Sequence, residues 1–258
     1  MPKIITDDAR FQTARTNVLS ESVAWEGIGT LSERSLHKIL KLYIEPDIGK
    51  HEVGYMGSIV DIKNGDGIYE VQTRAYDRLL PKLRRILPTS RVTVVCPLAA
   101  EKYMRWLDPV SGEMSERRKS PKRENAYDAF RMLFGIRELI THPNLRIRLV
   151  YMQVEDFRTL DGWDKTKKRG SNRVERIPTR IISEEELCCV SDYLDKLPAE
   201  LGEEFTAPEF SRAIKRRPRY AFYVLKLLVA VGAVSEVGKR GRATLYKRLS
   251  PLGISITE

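Results

Sequence analysis

Two carboxylates and an amide stand out in SIVDIKNGDGIYEVQT, residues 58–73. Asp61, Glu70 and Gln72 interrupt two largely apolar runs on either side of Asn64-Gly65-Asp66-Gly67. Residues that tolerate positive φ mark a reversal, so the runs should pair as a hairpin. With those four as the loop, Lys63 faces Ile68 and Asp61 faces Glu70. A two-residue Gly65-Asp66 turn gives the same register, whereas a tight Asn64-Gly65 turn would oppose Asp61 to Ile68. In the first register Val60, Ile62, Tyr69 and Val71 share one side, and Asp61, Glu70 and Gln72 share the other. Opposed Cβ atoms lie about 4.5–5.5 Å apart. Carboxylates that close repel unless one is protonated or a cation sits between them. Mg²⁺ or Mn²⁺, which favour carboxylate oxygen and water, are the cations expected. The plain alternative is a solvated polar hairpin face.

The flanking segments say what would hold this hairpin. Upstream, Thr30 with Glu33 forms a capping box, and Leu36, Ile39, Leu40 and Tyr43 follow at helical spacing. Glu33 borders the apolar face of that helix, so it either caps it or adds a third acid near the hairpin. Downstream, residues 74–87 read as a helix with Leu79, Leu80, Leu83 and Ile86 inward, Arg74, Arg78, Lys82 and Arg85 mostly outward, and Pro81 as a kink or a start. Residues 91–97, RVTVVCP, form the continuous apolar run of a buried strand. The expected order is helix, three strands, helix, strand.

That order, with an acid in the second strand and E-x-Q in the third, resembles the PD-(D/E)xK, or restriction-endonuclease-like, nuclease superfamily over roughly residues 31–97. The residues that carry the likeness are Glu33, Asp61, Glu70 and Gln72. The resemblance implies a mixed central sheet flanked by helices. It also implies Mg²⁺ or Mn²⁺ held by Asp61 and Glu70, and a third motif residue that positions the attacking water. The usual Lys of that position is Gln72 here, and Val60 stands where a Pro is common. Lys63, on the face of Asp61, is the candidate for the missing charge. The segments YEVQT, SPK…YDAF and DGW…KRGS…ERIP also resemble a group of bacterial proteins with no assigned activity.

Beyond the hairpin, Asp108-Pro109-Val110-Ser111-Gly112 signals a turn between strands, and residues 117–123 read as an exposed basic loop. A helix is expected over 124–140 and a strand over 144–157. Residues 160–180 carry Gly162, Gly170 and Pro178 and read as irregular backbone, in which Lys167, Lys168, Arg169, Arg173 and Arg176 could contact phosphates. From residue 183 the pattern turns helical: 184–197, then 206–216 with Thr206 and Glu209 as a capping box and Pro208 in the first turn, then 218–234. Short strands at 234–237 and 244–248 bracket GKRGRA. This succession resembles a winged helix domain over residues 205–249. The resemblance implies DNA contacts from the last helix through Arg217, Arg219 and Lys226, and from the wing through Lys239, Arg240 and Arg242.

The domain division expected is an extension at 1–30, the nuclease-like domain at 31–182 and the winged helix at 183–258. Charge distribution agrees with a polyanion partner. Of the net +10, residues 205–258 hold eleven Lys or Arg against three acids, and residues 165–180 hold seven against one, so the remainder is net acidic. No apolar run reaches the about 20 residues that span a bilayer, and the first residues lack the order of a signal peptide. Cys96, Cys188 and Cys189 have neither zinc-ligand spacing nor a disulfide framework, and His37, His51 and His142 stand apart as structural or surface residues. A cytoplasmic protein acting on DNA, with a homodimer among its allowed assemblies, is the expectation. Its rivals are a DNA-binding regulator whose nuclease-like fold has lost its chemistry and a protein-interaction adaptor.

Overall fold

A continuous apolar run needs cover on both faces, and residues 92–99 receive it. In the computed structural model, which describes residues 3–23, 35–108, 111–163 and 169–249, they begin β5 (Val92–Leu107), the centre of the main sheet. Val92, Val94, Cys96 and Leu98 point into one apolar layer and Val95 and Ala99 into the other. The second layer is closed by α1 (Asp8–Val23) and α2 (Ser35–Ile44), through Phe11, Leu36, Ile39, Leu40 and Tyr43.

Around β5 the chain builds a mixed α/β sheet. β2 (His51–Tyr55), β3 (Ser58–Asn64) and β4 (Gly67–Val71) form an antiparallel meander, and β4 lies parallel to β5. α3 (Leu80–Ile86) returns the chain from β4 to β5, with Pro81 in its first turn, so the proline marks the helix start. The short β6 (Arg118–Lys119) pairs with Tyr103 and Met104 of β5, where an exposed loop was expected. α4 (Ala126–Leu133) leads to β7 (Leu145–Trp163), which is parallel to β5. β8 (Arg169–Leu187) runs antiparallel to β7, and the strand β1 (Lys3–Ile4) closes that edge.

Two expectations fail here. The segment read as irregular backbone is largely strand: β8 takes residues 169–187, accommodating Pro178 where the β7 register shifts between Gln153 and Val154. The helix expected over 184–197 is only α5 (Val190–Leu194), because residues 184–187 complete β8, and the boundary expected at 183 falls inside that strand. Their charged side chains mask the strand pattern; Glu184 is buried by its partners Tyr43 and Arg148.

The helix expected over 124–140 also stops early. After α4 a 3-10 segment, Phe134–Leu139, packs tightly on the 3-10 turn Tyr76–Leu79. Gly135 permits this approach, since a Cβ there would sit 2.7 Å from the Asp77 nitrogen.

The C-terminal elements are β9 (Glu204–Thr206), α6 (Ala207–Ala213), α7 (Pro218–Val231), β10 (Val234–Arg240) and β11 (Ala243–Arg248). Thr206 caps α6 in a capping box with Glu209, and Gly232 ends α7 at φ 82°. The three strands form a separate sheet in the order β10, β11, β9. This unit shares the apolar layer beneath α3 and α4: Phe210 meets Tyr127 at 6.1 Å between ring centroids. No described helix is long and apolar enough to cross a membrane.

Candidate active site

The hairpin adopts the register derived from its loop: Asn64 pairs with Gly67, Lys63 with Ile68 and Ile62 with Tyr69. Pairing between the backbones ends there, at the two acids, and the shared side expected for Val60, Tyr69 and Val71 is lost: Val60 joins the layer of Ile68, while Tyr69 and Val71 face the other layer. The side chain of Asp61 replaces the ladder by accepting from the Val71 amide at 2.8 Å, and the Asp61 amide donates to Glu70 Oε1 at 3.4 Å. The carboxylates are thus brought together at the C-terminal end of β4, where open α/β sheets place ligands.

Each acid has a basic partner from a different helix. His37 of α2 lies with Nε2 3.1 Å from Asp61 Oδ2. Lys82 of α3 places Nζ 2.5 Å from Glu70 Oε1. Neither was expected at the site: Lys82 read as an outward residue of its helix, and His37 as structural or surface. The long lysine stem reaches back from α3 and leaves its side chain only 19% exposed.

The two carboxyls respond in opposite directions. Burial raises Glu70, the Asp61 charge raises it further, and although Lys82 opposes both, its pKa is pushed up to about 7. Burial also works against Asp61, but the His37 hydrogen bond and charge, the Val71 amide and Lys82 outweigh it, and Asp61 stays below its ordinary value. A pair split this way divides the labour of an acid and a base. It is also the electrostatic setting that a bound cation relieves.

The remaining expected residues are placed less favourably. Gln72 donates its side-chain amide to the carbonyls of Arg74 and Ala75, so its nitrogen turns from the acids toward its own loop. Lys63 lies over the Tyr55 ring at 5.3 Å, and the charge expected from it comes from Lys82. Glu33 lies outside the described residues. Among the described residues no three His, Cys, Asp or Glu side chains converge as a metal cage. Asp61 and Glu70 nevertheless supply the paired hard oxygens with which Mg²⁺ is held when water completes its shell.

The expected phosphate contacts divide similarly. Lys167 and Lys168 lie outside the described residues, and Arg169 stands at the start of β8. Arg173 is exposed, and its charge helps hold Asp156 ionised. Arg176 is corrected: its guanidinium grips the buried Asp156 through Nε at 2.6 Å and Nη2 at 3.0 Å, so it is committed to the interior. Lys226 pairs with Glu236 at 2.5 Å and Arg240 with Glu209 at 3.5 Å. Lys239 and Arg242 are exposed around the β10–β11 turn, and Arg217 and Arg219 are exposed at the start of α7.

A model of the family described as "Domain of unknown function (DUF8091)" matches residues 34–188. An "Uncharacterized protein" of Treponema pallidum (strain Nichols) is 31% identical over 225 residues, covering 87% of this chain and 88% of that protein. No solved structure matches the chain. His37, Asp61, Glu70 and Lys82 all fall within the matched span, and the chain belongs to the DUF8091 family.

Proposed function

We propose that this protein is a metal-dependent phosphodiesterase acting on DNA, with Asp61, Glu70 and Lys82 as its working centre. The observation that carries the reading is the convergence of two carboxylates, one raised to about 7, beneath the Lys82 ammonium at the C-terminal end of β4. The order α2, β2-β3-β4, α3, β5, α4, β7 supports a restriction-endonuclease-like core. The order β10-β11-β9 around α6 and α7 supports a winged helix.

Asp61 and Glu70 would hold Mg²⁺ or Mn²⁺, which when bound lowers the pKa of a water and neutralises phosphoryl charge. Lys82 places a positive charge beside the same oxygens and would stabilise the developing charge on the phosphate. His37 keeps Asp61 oriented and ionised. Gln72, with its nitrogen engaged by the backbone, retains its carbonyl oxygen as an acceptor for a water. Lys239 and Arg242 would contact the DNA backbone.

A second reading, a DNA-binding regulator without chemistry, is favoured by one feature. Each acid already has a basic partner, His37 for Asp61 and Lys82 for Glu70. Incubation of the full chain with supercoiled and branched DNA in Mg²⁺ or Mn²⁺ separates the two. Strand scission that disappears with Asp61→Ala and with Lys82→Met is expected. DNA binding that survives chelation, with no scission under either metal, would leave the regulator. Scission undiminished in Asp61→Ala would remove this centre from the reaction.

A further inference from the structure

A second concave feature lies away from the acids, between α4, the 3-10 segment after it and the start of α7. Its volume is about 430 Å³, and it is lined by Arg131, Phe134, Arg217, Arg219, Tyr220 and Tyr223. Three of the six are guanidinium groups, three are aromatic rings, and none is an acid. Among the described residues no carboxylate pairs with Arg131, Arg217 or Arg219, whereas the adjacent Arg216 is held by Asp128 at 2.9 Å. The aromatic wall is built rather than incidental. Phe134 meets Tyr223 at 5.0 Å with their planes 64° apart, and Arg131 and Arg216 both lie over Tyr220, at 5.3 and 5.5 Å.

We propose that this cleft binds one unpaired nucleotide of a nucleic-acid strand, with its base against Tyr223 and its neighbouring phosphates on Arg217 and Arg219. Guanidiniums without carboxylate partners attract a polyanion and match the planar geometry of phosphate oxygens. Aromatic rings between them add what a phosphate alone does not need, a surface for the face of a base. A duplex offers only base edges to a groove reader, so these walls would go unused by double-stranded DNA. The volume falls within the about 300–1,000 Å³ of small-ligand pockets. The packing of α7 on α4 and the 3-10 segment makes a slot of this part of the helix rather than a free rod to lie in a groove.

The proposal deepens the nucleic-acid reading and rests on it for ligand class, but not on the acids; all binding is therefore measured in chelator, where failure of the hydrolytic reading has no effect. Fluorescence anisotropy of the full chain would compare short deoxyadenylate and riboadenylate strands with an abasic strand of equal length and with a blunt duplex. The base-bearing single strands should bind about tenfold tighter than the abasic strand. A preference for either sugar supports the proposal and assigns the strand. Arg217→Ala with Arg219→Ala should weaken binding about tenfold and flatten its salt dependence. Tyr223→Leu, checked for folding by its melting curve, should erase the difference between base-bearing and abasic strands; if it unfolds, the arginine pair alone decides. Equal binding of the abasic strand or the duplex, arginine variants that bind like the parent chain, or no binding at all would overturn it.

Discussion

Two buried acid clusters in this molecule are made of similar parts and behave in opposite ways. At the end of β4, Asp61 and Glu70 share Lys82 and His37, and Glu70 is raised to about 7. In the extended part of the sheet the fully buried Asp156 faces Arg176, Lys102 and Arg173, with Glu124 3.9 Å from the other side of Arg176. Burial raises Asp156 too, but the bidentate Arg176 and the neighbouring cations outweigh it and hold the carboxyl below its ordinary range. What separates the clusters is the count of acids per cation. One acid with a fork-shaped partner is satisfied and fastens β7 to β8. Two acids in contact leave a charge conflict, and that conflict is what a metal ion or a proton would resolve.

The comparison breaks most visibly at Arg176. Arg176→Ala leaves a buried, ionised Asp156 without its fork and should cost about 3–5 kcal/mol in denaturant unfolding. Asp61→Asn should change stability by less than about 1 kcal/mol, since the amide oxygen still accepts from Val71 while the repulsion against Glu70 is removed. If the two variants destabilise equally, the contrast between a structural and a poised cluster is wrong.

Acid sharpens the same contrast. The folded-state pKa of Asp156 is depressed, so its stabilisation is present above the unfolded value of about 3.9 and is lost as pH falls through the folded value. The stability gap between the parent chain and Asp156→Asn should therefore stay level from neutral pH to about 4 and shrink below it. A gap that closes already at neutral pH would mean that Arg176 does not hold the charge.

The smallest effect is expected at the exposed Lys226–Glu236 pair, with side chains 36% and 39% accessible. Lys226→Ala should cost less than about 1 kcal/mol, as surface pairs do, which calibrates the buried clusters in the same melting experiment.

How far each region was legible follows from the range of its interactions. The hairpin could be read because Asn64-Gly65-Asp66-Gly67 sets the register locally as far as Ile62 and Tyr69; beyond it the Asp61 side chain and amide, not the strand ladder, bring Asp61 to Glu70. The run from Val92 could be read because a strand buried on both faces needs apolar residues on both. β8 could not, since Gly170, Pro178 and its acids imitate a loop and then a helix. Its strand identity comes from β7, whose carboxylates and tyrosines give those charged side chains partners, such as Tyr151 with Glu185 at 2.5 Å. Lys82 was invisible for a related reason: a helix pattern says which way a Cα faces, while a long flexible side chain decides later where its charge goes.

By itself, then, the amino-acid order determined the hairpin turn and its first paired residues, the central buried strand and the caps of α6, because turn chemistry and burial act over a few residues. Only the tertiary structure decided which cations meet Asp61 and Glu70, that Arg176 turns inward, and that an arginine and aromatic cleft forms beside α7. Those outcomes depend on side chains from segments far apart in the chain, whose electrostatic and packing energies exist only once the sheet and its two covering layers are assembled.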